Sequence, residues 1–232
     1  MPTTSLQRDA VAIIGFNSPQ WMISNVGGIL ADGIAAGIYT TNSAPACAYI
    51  VNHAHATIVV CEGEKQLQKF MSIRTEMPSV KAYVVWGATV PSVTNHTKSA
   101  LSATLADAAA HGVYSWDQFM SLGMDESRKS ELQREVERRM AGQLPEDVCS
   151  LVYTSGTMSM PKAVMISHDN LMFIATSVLT RFEATEGERL VSYLPVRVGA
   201  TQPQRRAHDR LPCTHHRVRH ASTPTPRLCI CS

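Results

Sequence analysis

Four short apolar runs constrain this chain more than anything else in it. They are Val11-Ala12-Ile13-Ile14-Gly15, Thr57-Ile58-Val59-Val60-Cys61, Ala82-Tyr83-Val84-Val85-Trp86 and Cys149-Ser150-Leu151-Val152-Tyr153. Runs this short, with almost no polar interruption, read as strands buried on both faces, as a parallel sheet requires. The segments between them carry helical signals. Ser18 is a candidate N-cap with Pro19 in the first turn. Behind it Trp21, Val26, Ile29, Leu30 and Ile34 fall near one helical face. Gly27, Gly28, Gly33 and Gly37 weaken that helix in isolation and suit it to close packing on a sheet. Residues 39–44 are polar and turn-like, and 45–52 read as a short helix. Residues 64–74 form a helix with Leu67, Phe70 and Met71 on one side, and 114–122 a short one carrying Trp116, Phe119 and Leu122. Leu132, Val136 and Met140 recur at four-residue spacing among charges, the pattern of a solvated amphipathic helix. Residues 87–112, rich in Ser, Thr and Ala, carry little signal. Strands alternating with helices argue for an α/β fold, a mostly parallel sheet flanked by helices.

Composition narrows the class. With 44% hydrophobic residues in 232, the chain can build a substantial core. Cys47, Cys61 and Cys149 sit in apolar surroundings, where a thiol behaves as a small hydrophobe. No basic segment followed by an apolar run opens the sequence, so no signal peptide and a cytoplasmic chain with reduced thiols are expected. The Asn95-His96-Thr97 sequon then carries no weight. No apolar run is long enough to span a membrane.

The last stretch differs in kind. Residues 196–232 hold seven Arg, no Lys and one acid, Asp209, a local net charge of +6 against +2 for the whole chain. Cys213-x-His215-His216 and Cys229-x-Cys231, with His220 between them, match no usual structural zinc spacing, so no metal is expected. The tail has no aromatic residues on which bases could stack, so no nucleic acid is expected either. Pro203, Pro212, Pro224 and Pro226 oppose regular structure, and the expectation is a disordered basic tail.

The chemistry is concentrated after the fourth apolar run, in Tyr153-Thr154-Ser155-Gly156-Thr157-Met158-Ser159-Met160-Pro161-Lys162-Ala163-Val164. The hydroxyls of Thr154, Ser155 and Thr157 can donate to phosphate oxygens. Gly156 lets the backbone turn tightly and present its N–H groups to an anion. Lys162 adds a point charge suited to a phosphoryl group. It is not a Walker A loop, since Pro161 precedes the Lys and Ala163 follows it. On residue types alone the segment is either a phosphate cradle or a polar connection from a strand to the helix capped by Ser167.

Tyr-Thr-Ser-Gly-Thr followed at a short interval by Pro-Lys resembles the phosphate loop of the adenylate-forming (AMP-binding) superfamily. The run Val164-Met165-Ile166-Ser167-His168-Asp169-Asn170 fits as well. Gly15-Phe16-Asn17-Ser18-Pro19-Gln20-Trp21, Gly37-Ile38-Tyr39-Thr40-Thr41-Asn42-Ser43 and Val191-Ser192-Tyr193-Leu194-Pro195 are similar to the bubblegum-type long-chain acyl-CoA synthetases. The resemblance covers residues 8–195. It implies a partial AMP-binding domain over 1–195 and an unrelated tail over 196–232. It also implies a ligase that joins a fatty acid to CoA through an acyl-adenylate, using ATP and Mg2+. Thr154, Ser155, Gly156, Thr157, Met158, Ser159, Met160, Pro161 and Lys162 would then hold the ATP phosphates. Fatty-acyl substrates add the expectation of peripheral association with the endoplasmic reticulum membrane.

Departures from the family pattern carry their own expectations. The family has Thr and Gly where this chain has Met158 and Ser159, and Gly where it has Ala163. If those glycines need a positive φ, Ser and Ala there cost about 1 kcal/mol or more each. After Pro195 the family's adenine, ribose, hinge and lid segments are not recognisable, and the switch is abrupt, like a message read out of frame or a retained intron. The family's opening portion is missing as well. The chain alone is therefore expected to turn over little. The competing expectation is a non-catalytic form that keeps weak ATP-phosphate binding or pairs with a partner.

Overall fold

The computed structural model describes residues 8–87, 112–154 and 160–182. Chain order is β1 (Ala10–Ile14), α1 (Pro19–Leu30), β2 (Ile34–Ile38), α2 (Ala44–His53), β3 (Ala56–Glu62) and α3 (Gly63–Ser72), then a 3-10 turn (Arg74–Glu76) and β4 (Ala82–Trp86). After the undescribed stretch come β5 (Val113–Ser115), α4 (Trp116–Gly123), α5 (Lys129–Ala141), β6 (Val148–Thr154), β7 (Lys162–Ser167) and α6 (His168–Phe182). These strands form one sheet in the order β5-β4-β3-β1-β2-β6-β7. Every neighbouring pair is parallel up to β6, and β7 alone runs antiparallel.

The mostly parallel α/β expectation holds, with three strands that the sequence reading missed. The first is β2. The helical face assigned through Ile34 ends four residues earlier, at Leu30. There the amide of Gly33 donates to the carbonyl of Gly28 at 2.9 Å and the amide of Asp32 to that of Ile29 at 3.0 Å. Asp32 has φ 64, so the helix closes in a Schellman motif with Asp in the left-handed position where Gly is usual. A Cβ on Gly33 would lie 2.9 Å from the Gly28 carbonyl oxygen and 3.0 Å from that of Asp9, so only Gly fits. Ile34 then pairs with Ala10 and opens a strand. Ile-Ala-Ala-Gly-Ile has weak strand propensity, which is why the sequence hid it. The second is β5, read as the start of a helix. Ser115 caps α4 instead, in a capping box with Gln118. The third is β7, taken up below.

The chain winds both faces of this sheet. On one, α2 and α3 cover Ile14, Ile38, Val59, Tyr83 and Tyr153, with Ile50, Leu67 and Phe70 buried between. On the other, α1 and α4 bring Trp21, Trp116 and Phe119 against Ile13, Val60, Val84 and Trp86. Each large apolar side chain so buried contributes about 1.5–3 kcal/mol relative to exposure. The amphipathic helix α5 buries none of its residues, as its charge pattern implied. It is tied to the end of α1 by polar groups: Arg139 donates to the Ala31 carbonyl at 3.1 Å, and Gln143, just beyond α5, to that of Ile29 at 2.7 Å. The first meets a carbonyl at the helix C-terminus, the second adds a donor to one that already accepts the Asp32 amide, and the Arg charge complements the helix dipole there. The three thiols expected to be hydrophobic, Cys47, Cys61 and Cys149, are free and buried. The tail from residue 196 and its Cys and His residues lie outside the described residues.

Candidate functional site

In a sheet wound this way, ligands settle beyond the carboxyl ends of the strands, most often where neighbouring strands lead off in opposite directions. Here that point lies between β1, which leads to β2, and β3, which leads to β4 on the other side. It is filled by the protein's own side chains. A Cβ on Gly15, just past β1, would stand 2.5 Å from Trp86 and 2.8 Å from the Glu62 Cβ. The Glu62 carboxylate accepts the Phe16 amide at 2.7 Å. Much of the Gly15-to-Trp21 motif serves the fold: Ser18 Oγ accepts the Trp21 amide at 3.1 Å, Pro19 opens α1, and Trp21 is buried.

Two strands along, the same edge is differently built. β2 pairs with β6 through Ala35↔Ser150, Ala36↔Leu151 and Gly37↔Val152, which sets the turn after β2 beside the end of β6. Lys69 holds that turn, donating to the carbonyls of Thr40 at 3.2 Å and Asn42 at 2.9 Å, while Gln66 reaches Thr40 at 3.4 Å. Burial of the neighbouring Cys47 raises its thiol above the ordinary range, an effect the Lys69 charge partly offsets.

β6 turns back into β7 with Tyr153 opposite Ala163 and Thr154 opposite Lys162. The Thr154 hydroxyl donates to the Lys162 carbonyl at 3.5 Å across the mouth of the loop. The predicted phosphate-loop residues are thus bracketed by two antiparallel strands, with Thr154 ending one and Lys162 opening the other. This corrects the reading of the segment as a strand-to-helix connection. The correction matters electrostatically. Because β7 runs antiparallel, Ser167 lies opposite Val148 at the far edge of the sheet, and α6 begins there. Five residue steps of strand, roughly 16 Å, separate that helix N-terminus from Lys162. The N-terminal dipole of α6 therefore does not stand behind Lys162, and the donors the sequence offers an anion there are hydroxyls, backbone N–H groups and Lys162.

Of the predicted residues, the structure places Thr154 as the last of β6 and Lys162 as the first of β7, both exposed, with Met160 and Pro161 at the return. Among the described residues no carboxylate neutralises Lys162. Ser155, Gly156, Thr157, Met158 and Ser159 lie outside the described residues. Ala163 can be judged. It is a strand residue without positive φ, half-buried against the core, so the strain expected of an Ala in place of Gly does not arise there.

Sequence reasoning missed what stands beneath the hairpin. Tyr153 is buried, and its hydroxyl meets His53 Nδ1 at 2.9 Å. Its second partner is the Ile50 carbonyl at 3.5 Å. Burial pushes the phenol up to about 12, with Tyr49 adding to the rise, so it stays a hydrogen-bond donor at any working pH. A His closing one helix and a Tyr 100 residues later share no local pattern from which sequence could pair them. Among the described residues no group of three His, Cys, Asp or Glu is placed to hold a metal ion.

Comparison with known proteins settles the family. The AMP-binding enzyme family matches residues 6–201. This chain belongs to that family. It is 40% identical over 189 residues to the long-chain-fatty-acid–CoA ligase ACSBG2 of Homo sapiens, which covers 80% of this chain and 25% of that protein. It is 38% identical over 190 residues to the ACSBG2 of Xenopus laevis, covering 80% of this chain and 23% of that one. The AMP-binding chain described here thus spans about a quarter of the length of these curated relatives. In fold it is similar to an anthranilate CoA ligase, AuaEII, solved with anthranoyl-AMP: TM-score 0.54, 19% identity, 82% of this chain and 31% of that one. A putative long-chain-fatty-acid CoA ligase from Rhodopseudomonas palustris gives TM-score 0.53 at 15% identity, over 83% and 41% of the respective chains.

Proposed function

We propose that this chain carries the triphosphate-holding part of a long-chain-fatty-acid–CoA ligase, which joins a fatty acid to CoA by way of an acyl-adenylate made from ATP. The observation that carries this reading is the β6–β7 hairpin. It sets Thr154 opposite Lys162, whose ammonium meets no carboxylate among the described residues, at the carboxyl edge of the sheet and on either side of a sequence rich in hydroxyls. The curated relatives named as long-chain-fatty-acid–CoA ligases support the substrate class.

The donor set suits a polyphosphate. Hydroxyls and an ammonium supply N–H and O–H bonds to phosphoryl oxygens, and the positive charge offsets part of theirs. The described residues offer no carboxylate cluster for Mg2+, so the ion would be held chiefly by the nucleotide's own phosphates, as Mg2+ in nucleotide sites commonly is. The ATP supplies the activating chemistry. The residues 154–162 supply position and charge neutralisation, and both count in phosphoryl and adenylyl transfer. The names of the relatives favour the ligase reading over the competing one of a non-catalytic form. We further propose a cytoplasmic location with peripheral contact at the endoplasmic reticulum membrane, suited to fatty-acyl substrates. Among the described residues no helix is long and apolar enough to cross a membrane.

The test has two arms. Calorimetric titration with Mg-ATP asks whether the chain holds the nucleotide, and the reading requires that it does, with Lys162→Ala weakening it. Release of pyrophosphate from ATP, with and without a long-chain fatty acid, asks whether this chain also turns it over. Binding that ignores Lys162, or no binding at all, would sink the reading.

A further inference from the structure

The segment before the loop is anchored by a contact that its sequence motif does not contain. Tyr153 stands one residue before Thr154, and its ring points into the core beneath the hairpin, 2% exposed. The hydroxyl ends at the last turn of α2. There His53 Nδ1 lies 2.9 Å away, and the two rings meet edge-on with centroids 5.7 Å apart. Tyr49, one turn back, packs against the imidazole with ring centroids 5.4 Å apart. α2 is itself fixed, with Cys47, Ala48, Ile50 and Val51 buried in the core. The Tyr153–His53 bond thus ties the end of β6 to a helix that belongs to the β2–β3 connection.

Proton counting shows why His53 is the partner that matters. The phenol has one proton to give. With neutral His53 protonated on Nε2, that proton goes to Nδ1. With Nδ1 protonated, the imidazole donates to the phenol oxygen, and the phenol donates to the Ile50 carbonyl at 3.5 Å. That carbonyl already accepts the Ala54 amide at 2.9 Å. Either way the short bond runs to His53. His53 itself is exposed, so water can satisfy the phenol when the imidazole is removed. Water cannot replace the mechanical link to α2.

We propose that His53 is a positioning residue for the phosphate loop: acting through the Tyr153 hydroxyl, it fixes the end of β6, and so the spacing of Thr154 and Lys162 at the loop's mouth. This deepens the reading of residues 154–162 as a triphosphate holder and rests on it for its purpose, though not for its geometry. The bond crosses 100 residues of sequence and joins the end of β6 to the last residue of the helix that connects β2 to β3.

The experiment compares His53→Leu with His53→Asn in the intact chain. Leu keeps bulk beside Tyr49 and Tyr153 but has no polar atom. Asn places an amide group near the position of Nδ1. Backbone hydrogen exchange is followed at Thr154, Lys162 and Ala163, with β1 amides as the internal reference. Exchange at the hairpin is expected to rise about tenfold in the Leu variant, the size of a modest pairwise coupling, to return toward wild type in the Asn variant, and to stay unchanged in β1. Tyr153→Phe should match the Leu variant, and combining the two should add nothing further. Equal exchange in all variants, or equal losses with Leu and Asn, would overturn the proposal, the latter because packing alone then explains the site. A Mg-ATP titration run in parallel keeps the two readings apart. If wild type fails to bind, the triphosphate reading falls while the exchange data still decide the role of His53.

Discussion

The first four strands and the β6–β7–α6 corner belong to one sheet but are built on opposite terms. In β1 to β4 most strand residues are buried and none is exposed, and helices cover both faces. At the corner, Met165 of β7 is 69% exposed and Phe173 of α6 is 72% exposed, with Val164, Leu171, Met172 and Leu179 also open. The corner nonetheless holds the chain's candidate chemistry. On the proposed reading, stability and phosphate binding draw on separate residues, and the two regions meet at Tyr153, whose ring belongs to the core and whose backbone leads toward Thr154.

The comparison is broken most forcefully by deleting core bulk. Phe70→Ala removes a ring with no exposed surface and should cost about 3–5 kcal/mol in urea unfolding. The matching change at the corner, Met165→Ala, should stay within ~0.5 kcal/mol. A similar loss at both positions would erase the distinction.

A smaller effect comes from shape. Gly15→Ala drives a methyl into Trp86 and Glu62, an overpacking that should cost about 1–3 kcal/mol by chemical denaturation. Gly27, by contrast, sits on the outer side of α1 with nothing within 4 Å of an added Cβ. Gly27→Ala should stabilise by about 0.5–1 kcal/mol through helix propensity, which differential scanning calorimetry would register as a higher Tm.

The link between the two regions has a pH signature at the opposite edge of the sheet. Arg8 meets Asp147 at 2.5 Å and Asp32 at 3.1 Å, joining the segment before β1 to the turn before β6. The Arg8 guanidinium, helped by the Leu144 amide, holds the Asp147 carboxyl below its ordinary value. A carboxyl depressed on folding stabilises the protein above its unfolded value of about 3.9, and that contribution is lost as the pH falls through the folded value. Wild type should lose stability below about pH 4 more steeply than Asp147→Asn, whose deficit should already be present at neutral pH. Parallel slopes in urea midpoints against pH would show that the pair does not tie the regions together.

Much of this architecture was legible because it is written in local patterns. The β-branched runs at β1, β3, β4 and β6 announced themselves, and Ala82–Trp86 needed no adjustment at all. β2 did not, because Ala35, Ala36 and Gly37 gain their strand conformation from burial at the middle of the sheet rather than from propensity. At β5 three residues were too few to show a period, although Ser115 and Gln118 carried the capping signal for the following helix. The loop was legible as a motif, while its setting was not. Lys162–Ser167 has no clean alternation and buries none of its residues, so the strand that pairs back onto β6 was invisible. The His53–Tyr153 contact depends wholly on tertiary structure.

The central claim is that residues 154–162 grip the phosphates of a nucleotide from a corner that adds little to stability. Titrating wild type and Lys162→Ala with Mg-ATP, and unfolding both in urea, tests it most directly. Wild type should bind, affinity should fall about tenfold or more without the charge-assisted contacts of Lys162, and the unfolding curves should superimpose, because Lys162 is exposed and meets no carboxylate among the described residues. Equal affinities for the two proteins, or a Lys162→Ala variant that binds poorly only because it unfolds, would contradict it.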